Sequence, residues 1–144
     1  MKTLVLLLTS VSLCFFIAGC SDPKPKPKRL TLYSIDGKVH PRGNEKEVSE
    51  TFFHGYPIIG STTFKDSAKC TEILNALDKG RKDSDGKAAK CFWPRHGIHV
   101  EYEDGRKVDF VVCFTCLQLE VFEGGAKVRD TTTKTPMEYF NKQL

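Results

Sequence analysis

The chain has 144 residues and a formal net charge of +4, and a short stretch at residues 24–29 carries four of its positive side chains. Because the remainder is close to neutral, the basic isoelectric point does not indicate a nucleic-acid-binding surface. Residues 30–144, which follow this stretch, have the length of one ordinary domain.

The first 19 residues have the three-part pattern of a secretory signal peptide. Lys2 gives a positive start, residues 4–17 form an almost wholly apolar run, and the small residues Ala18 and Gly19 follow. The run is too short for a membrane-spanning helix, which needs about 20 apolar residues to cross a hydrocarbon core of about 30 Å. We therefore expect residues 1–19 to be cleaved from an exported chain.

Ile17, Ala18, Gly19 and Cys20 resemble a lipobox, the cleavage signal of bacterial lipoproteins. In that family the peptidase cuts before the cysteine. The resemblance therefore implies that Cys20 becomes the first residue, with a diacylglycerol on its sulfur and a fatty acyl chain such as palmitate on its amino group. Two or three acyl chains anchor a protein stably, because each buried methylene contributes about 0.8 kcal/mol. Ser21 at the next position favours the outer membrane in a cell that has two membranes. Secretion without lipid is the alternative.

Residues 22–29 alternate proline with basic residues and predict an extended linker. A proline-rich backbone rises about 3.1 Å per residue, so this segment would hold the domain roughly 25 Å from the membrane. The chain is thus expected to comprise a signal peptide at 1–19, a lipidated tether at 20–29 and one domain at 30–144.

The domain pattern predicts a small antiparallel sheet with one face covered by one main helix, which is an α+β fold. Alternating apolar residues predict strands at 30–35, 56–59, 98–102, 108–113 and 117–122. Asp66 is suited to cap a helix and Gly80 to end it, so we expect the main helix over 67–79. Pro136 is expected to open a short C-terminal helix.

A hairpin is predicted at Asp104-Gly105, between the strands at 98–102 and 108–113. If these two residues form the whole loop, His96 lies opposite Cys113. Directly opposed side chains share a face of the sheet, at about 5 Å between Cβ atoms. A slip of one residue in the pairing would turn His96 to the other face.

Four cysteines belong to the predicted domain: Cys70, Cys91, Cys113 and Cys116. An even number in an exported chain favours disulfide bonds. The hairpin also places the segment from Cys91 to His96 beside the C-x-x-C sequence of Cys113 and Cys116. Residues three apart on a strand point to opposite faces, so these last two thiols can meet only if the chain bends between them.

Three interpretations compete for these residues. In the favoured one, Cys70 or Cys91 forms a structural disulfide with Cys113 or Cys116, which stabilises the domain by about 2–4 kcal/mol. The second is a zinc site in which His96 completes a set of three cysteine ligands, since structural zinc takes four nitrogen or sulfur ligands. The third is a redox dithiol, which usually needs a nearby cation. A set of buried free thiols is the remaining alternative, and no cofactor is expected unless the zinc interpretation holds.

A Pro-Arg-His-Gly turn would present Arg95 and His96 to a ligand such as an anion, unless Arg95 pairs with an acidic neighbour. The segment that begins Cys-Phe-x-Pro-Arg-His-Gly at Cys91 and ends Cys-Phe-x-Cys at Cys116 is similar to a set of small uncharacterised bacterial exported proteins. The resemblance covers roughly residues 52–122 and supports the domain limits.

The sequence therefore predicts a lipid-anchored protein of the cell envelope that faces the periplasm or the exterior and acts by binding rather than by catalysis. It contains no phosphate-binding loop, serine nucleophile motif or zinc-protease helix motif. The bilayer is one expected partner and an envelope protein is another candidate. The rival hypothesis is a thiol-redox or zinc-binding activity at Cys91, His96, Cys113 and Cys116.

Overall fold

A computed structural model describes residues 25–39 and 48–144. The predicted signal peptide, Cys20 and the start of the linker lie outside these residues. The described elements are, in chain order, β1 (Pro27–Ile35), β2 (Phe52–Phe53), β3 (Tyr56–Phe64), α1 (Ser67–Lys82), β4 (His96–Tyr102), β5 (Lys107–Cys113), β6 (Gln118–Glu123), β7 (Ala126–Thr131) and α2 (Met137–Asn141). The strands form one antiparallel sheet in the order β2-β3-β1-β4-β5-β6-β7.

This architecture confirms the predicted antiparallel sheet with one main helix and a short C-terminal helix. Strands occupy more of the described chain than helices do, so the fold lies between the α+β and the mainly β classes. β1 begins at Pro27, which pairs with Tyr102, so the last residues of the predicted linker belong to the sheet. Neither helix of the described part is long and apolar enough to cross a membrane.

Helix α1 begins as predicted but continues past its expected end. The Asp66 carboxylate accepts a hydrogen bond from the Ala68 backbone N–H at 3.1 Å and caps the first turn. Gly80, the predicted stop, lies inside the helix, so that prediction is wrong. A Cβ at this position would lie 2.6 Å from the Pro136 Cγ and 2.7 Å from the Thr132 hydroxyl. The glycine therefore allows the C-terminal segment to pack closely against α1.

The two faces of the sheet bury separate apolar clusters. On the face that α1 covers, helix residues including Ile73 pack on strand residues such as Leu32 and Ile98. The opposite face, called the second face below, buries a smaller cluster: Ile35, Phe53, Tyr56, Val111 and Phe122. The prediction of one covered face therefore accounts for only part of the core.

The β2–β3 hairpin covers the second face. Its turn residues His54 and Gly55 both have positive φ values, 51° and 84°, as the type I′ hairpin turn requires. The hairpin places Phe53 directly over β4, where a Cβ on Gly97 would lie 2.5 Å from the Phe53 ring. The glycine is therefore needed for this close approach.

The β4–β5 hairpin forms at the predicted place with a different register. The Tyr102 N–H donates to the Arg106 carbonyl at 2.9 Å, and Gly105 has a φ of 86°, so three residues rather than two form the loop. His96 consequently lies opposite Val112 and not Cys113. The predicted register is wrong by one residue, and His96 points to the face that α1 covers.

Candidate functional site

A turn after β5 brings Cys113 and Cys116 together. The Cys116 N–H donates to the Cys113 carbonyl at 3.2 Å, and Leu117 takes a φ of 59° where the chain turns back into β6. The two Cα atoms are 5.2 Å apart and the sulfurs are at disulfide-bonding distance. The chain thus bends between the two cysteines, which is the condition under which their thiols can meet.

Cys91 supplies a third sulfur to this cluster. Its Sγ lies 3.1 Å from the Cys116 Sγ, and its thiol is free and half-buried. Hydrogen bonds fix the loop that carries it: the Ala89 N–H donates to the Cys116 carbonyl at 2.9 Å, and the Gln118 side-chain amide donates to the Ala89 carbonyl. The loop before β4 and the turn after β5 are therefore joined at the sulfurs.

Cys70 lies apart from these three residues. Helix α1 directs its thiol into the core, where the Sγ donates to the Phe64 carbonyl at 3.5 Å, and burial raises the pKa of the thiol. A disulfide from Cys70 or Cys91 to Cys113 or Cys116 is therefore not the pairing that the structure shows. The structure pairs the two C-x-x-C cysteines with each other, whereas the favoured interpretation paired one of them with Cys70 or Cys91.

His96 does not join the cysteine cluster. Its Nε2–H donates to the Asn141 Oδ1 at 2.9 Å, and its ring packs against those of Phe114 and Phe140. Burial lowers the pKa of His96, and the nearby Arg95 guanidinium lowers it further, against the opposing effect of the Asn141 hydrogen bond. The side chain is thus a buried core residue, away from the cysteines with which it was predicted to form a site.

His96 is consequently separated from the three cysteines that were predicted as its fellow zinc ligands. His96 lies on the side of the sheet that α1 covers, whereas Cys113 lies on the second face. Within residues 25–39 and 48–144, no group of three or more histidine, cysteine, aspartate or glutamate side chains is arranged to hold a metal ion.

A cavity of about 460 Å³ opens beside the three sulfurs, at one end of the second face. Two large apolar side chains on its walls are unusually open to solvent: Trp93 is 62% exposed and Ile59 is 67% exposed. Charged groups come from Arg95, Lys38 and Asp36. The cavity thus combines apolar side chains, charged groups and three cysteine sulfurs in its lining.

Arg95 is the predicted ligand-binding residue that the structure places in this cavity. The other described arginines each pair with a carboxylate: Arg29, Arg81, Arg106 and Arg129. Arg95 has no such ion pair with any residue in the described ranges. The alternative in which an acidic neighbour neutralises Arg95 therefore finds no support among these residues, and Arg95 is an exposed residue in the lining of the cavity.

Sequence reasoning missed the contributions of Trp93, Ile59 and Lys38 to this cavity. Trp93 lies beside Arg95 in the sequence, and a large aromatic residue in a polar turn is a signal that could have indicated it. Ile59 and Lys38 are distant in sequence and reach the site only because β3 and the end of β1 are neighbours in the sheet.

A second polar cluster, also missed, lies further along the second face. The Asp109 carboxylate accepts hydrogen bonds from His54 Nε2 at 2.8 Å and from His99 Nδ1 at 2.6 Å. The hydrogen bond to Asp109 raises the pKa of His99. Next to this cluster, the Arg29 guanidinium donates to the Glu101 carboxylate at 2.8 Å. The β4–β5 register and the β2–β3 turn create the cluster, and neither was predicted.

Comparisons with known proteins identify no relatives. No family model matches the chain, no curated protein is significantly similar to it, and no solved structure matches its fold.

Proposed function

We propose that this chain is a lipid-anchored protein of the cell envelope that binds a small amphipathic organic anion in the cysteine-lined cavity. The anchor part of the proposal is supported by the apolar run at 4–17, the lipobox-like residues that end at Cys20, and the proline-rich tether after them. Such an anchor would hold the cavity outside the membrane, where it meets solutes of the envelope.

The observation that carries the binding part is the open cavity that Trp93, Ile59 and Arg95 share. Ligand sites are mostly apolar with a few polar groups that fix orientation, and this cavity has that composition. Trp93 and Ile59 would leave water when an apolar ligand packs on them, and burial of apolar surface contributes about 25 cal/mol per Å².

The charge of the cavity favours an anion over a cation. Arg95 and Lys38 contribute two positive groups, and Asp36 contributes one negative group. The Asp36 carboxylate already accepts a hydrogen bond from the Lys38 backbone N–H at 3.0 Å. A guanidinium can bind a carboxylate, sulfonate or phosphate through two parallel hydrogen bonds.

Fluorescence of the single tryptophan tests this proposal directly. Because the chain has one tryptophan, energy transfer from Trp93 shows that the fluorophore is bound to this domain, and the Arg95 variant assigns the binding to the cavity. The probe is anilinonaphthalene sulfonate, an aromatic anion. We expect saturable binding with energy transfer, and Arg95→Gln to weaken it about tenfold, which corresponds to about 1.4 kcal/mol.

Arg106→Gln is the matched control, because Arg106 lies in the β4–β5 loop and pairs with Asp104 and Glu123. It should leave the affinity unchanged. Equal affinities for the wild type and Arg95→Gln, or binding without energy transfer from Trp93, would refute the proposed site.

A further inference from the structure

Three cysteines with neighbouring sulfur atoms line the cavity. Cys113 and Cys116 are joined as a disulfide, and the free Cys91 Sγ lies 3.1 Å from the Cys116 Sγ. Thiol–disulfide exchange proceeds by attack of a thiolate on a disulfide sulfur, so a thiol in contact with one sulfur of a disulfide is placed for the reaction. The other free cysteine of the described residues, Cys70, is buried beneath α1.

The structure also supplies a stabilised leaving group. The Cys116 backbone nitrogen lies 3.2 Å from the Cys113 Sγ, and its N–H donates to this sulfur as well as to the Cys113 carbonyl. A hydrogen bond to a charged acceptor is stronger than one to a neutral acceptor, so this N–H favours Cys113 as a thiolate. Attack by Cys91 on Cys116 releases that same thiolate, and a better-stabilised thiolate leaves faster.

Access to the three sulfurs is unequal. Cys113 is 2% exposed and Cys116 is 1% exposed, so solvent barely reaches the disulfide in this arrangement. Cys91 is half-buried and lines the cavity. A disulfide that includes Cys91 would therefore be open to an external thiol through the cavity, whereas the Cys113–Cys116 disulfide is shielded.

We propose that Cys91, Cys113 and Cys116 form a thiol–disulfide exchange centre. In this centre the buried Cys113–Cys116 disulfide is exchanged for a Cys91–Cys116 disulfide that is accessible from the cavity. In the internal step the Cys91 thiol loses its proton and its thiolate attacks the Cys116 Sγ. The Cys91–Cys116 bond forms, the Cys113–Cys116 bond breaks, and Cys113 leaves as a thiolate that takes up one proton. The oxidation state of the protein does not change.

The external substrate of this centre is a dithiol. One substrate thiolate attacks the Cys91 Sγ, which forms a mixed disulfide and releases the Cys116 thiolate. The second substrate thiolate then attacks the substrate sulfur of the mixed disulfide and releases the Cys91 thiolate. The substrate is oxidised to its disulfide, and two electrons and two protons reduce the protein disulfide to two thiols. The reverse steps transfer a disulfide from a substrate to the protein.

Peptide mapping of the full chain, purified in detergent and never reduced, tests the internal step. Free thiols are alkylated under acid quench, and the disulfide-linked peptides are identified by mass spectrometry. We expect two isomers, one with Cys113 joined to Cys116 and one with Cys91 joined to Cys116. In a Cys113→Ser chain, all of the disulfide should join Cys91 to Cys116. A single Cys113–Cys116 isomer in the wild type, with free thiols at both Cys91 and Cys116 in the variant, would overturn the proposal.

Reduction kinetics with dithiothreitol as the dithiol test the external step. Without Cys91 the disulfide stays in its shielded position, so Cys91→Ser should slow its reduction by about tenfold or more. Cys70→Ser is the matched control, because it removes the other free thiol, and its rate should equal that of the wild type. Equal rates for Cys91→Ser and the wild type would contradict the role of Cys91.

The exchange does not rest on anion binding, although both use the same cavity. Arg95→Gln separates the two proposals, because it should weaken the sulfonate probe and leave both disulfide isomers in the peptide map. If the wild type does not bind the sulfonate probe, only the binding proposal is refuted. If the Cys91–Cys116 disulfide isomer is absent, only the exchange proposal is refuted.

Discussion

Replacement of Asp109 by alanine removes the carboxylate that joins two histidines on the second face. The Asp109 side chain is 15% exposed, and its two oxygens accept hydrogen bonds from His54 at 2.8 Å and from His99 at 2.6 Å. His54 is buried and stacks on Phe122, with ring centroids 3.8 Å apart. Solvent therefore replaces the lost acceptor poorly.

The magnitude follows from the two bonds. A hydrogen bond to a charged group contributes about 1.5–3 kcal/mol, and the partial exposure of His99 favours the lower end, so we expect Asp109→Ala to reduce the free energy of unfolding by about 3–4 kcal/mol.

The stability lost in Asp109→Ala should depend on pH in two ranges, one acidic and one near neutral. The hydrogen bond to Asp109 raises the pKa of His99, so the contribution of His99 is full below its unfolded pKa of about 6.5 and is lost as the pH rises through the higher folded value. Burial acts to raise the pKa of Asp109, but the hydrogen bonds from His54 and His99 outweigh it and lower that pKa. The contribution of Asp109 is therefore full above about pH 3.9 and is lost as the pH falls through the folded value.

Urea unfolding monitored by far-ultraviolet circular dichroism, at several pH values, measures both effects. The difference between the wild type and Asp109→Ala should be largest between about pH 4 and pH 6.5. Asp85→Ala is the control, because the exposed Asp85 carboxylate contacts only Lys87 in the described chain, and its effect should stay within about 0.5 kcal/mol. A difference for Asp109→Ala below about 1 kcal/mol, or one independent of pH, would refute the reasoning.

Two further predictions concern the second face and the anchor. Gly97→Ala should reduce the free energy of unfolding by about 1–3 kcal/mol, because its Cβ would lie 2.5 Å from the Phe53 ring. Gly60→Ala is the control, because no atom lies within 4 Å of its added Cβ, and it should not reduce the free energy of unfolding in this way. Equal effects of the two substitutions in urea unfolding would argue against the close approach of Phe53 to Gly97. Cys20→Ala should move the chain from the membrane pellet to the soluble fraction on cell fractionation, with loss of the lipid mass. Unchanged fractionation and mass would contradict lipidation.

Much of the fold could be predicted because its signals are local. Asp66 caps α1 through its own side chain, and the Asp-Gly sequence at 104–105 indicates a hairpin whatever surrounds it. The register of that hairpin could not be predicted, because Asp-Gly also fits a three-residue loop with Gly105 at positive φ. The extra loop residue shifts the strand register by one, so that His96 points into the core and not toward the cysteines.

The remaining differences arise from contacts between residues that are distant in sequence. Gly80 has the local character of a helix end, but Pro136 packs against it and the helix continues. The convergence of Cys91 on the C-x-x-C turn was predicted from the hairpin. The cavity was not, because Ile59 reaches it only through the order of strands in the sheet.

The central claim is that one cavity holds both the anion-binding group Arg95 and the reactive thiol Cys91. Protection of Cys91 from alkylation measures this directly, with iodoacetamide as the reagent and mass spectrometry as the readout. With anilinonaphthalene sulfonate at about ten times its Kd, alkylation of Cys91 should slow about tenfold, because only the free protein reacts. Arg95→Gln should abolish most of this protection at the same probe concentration, while the buried Cys70 stays unmodified throughout. An unchanged alkylation rate with the probe bound would contradict the account.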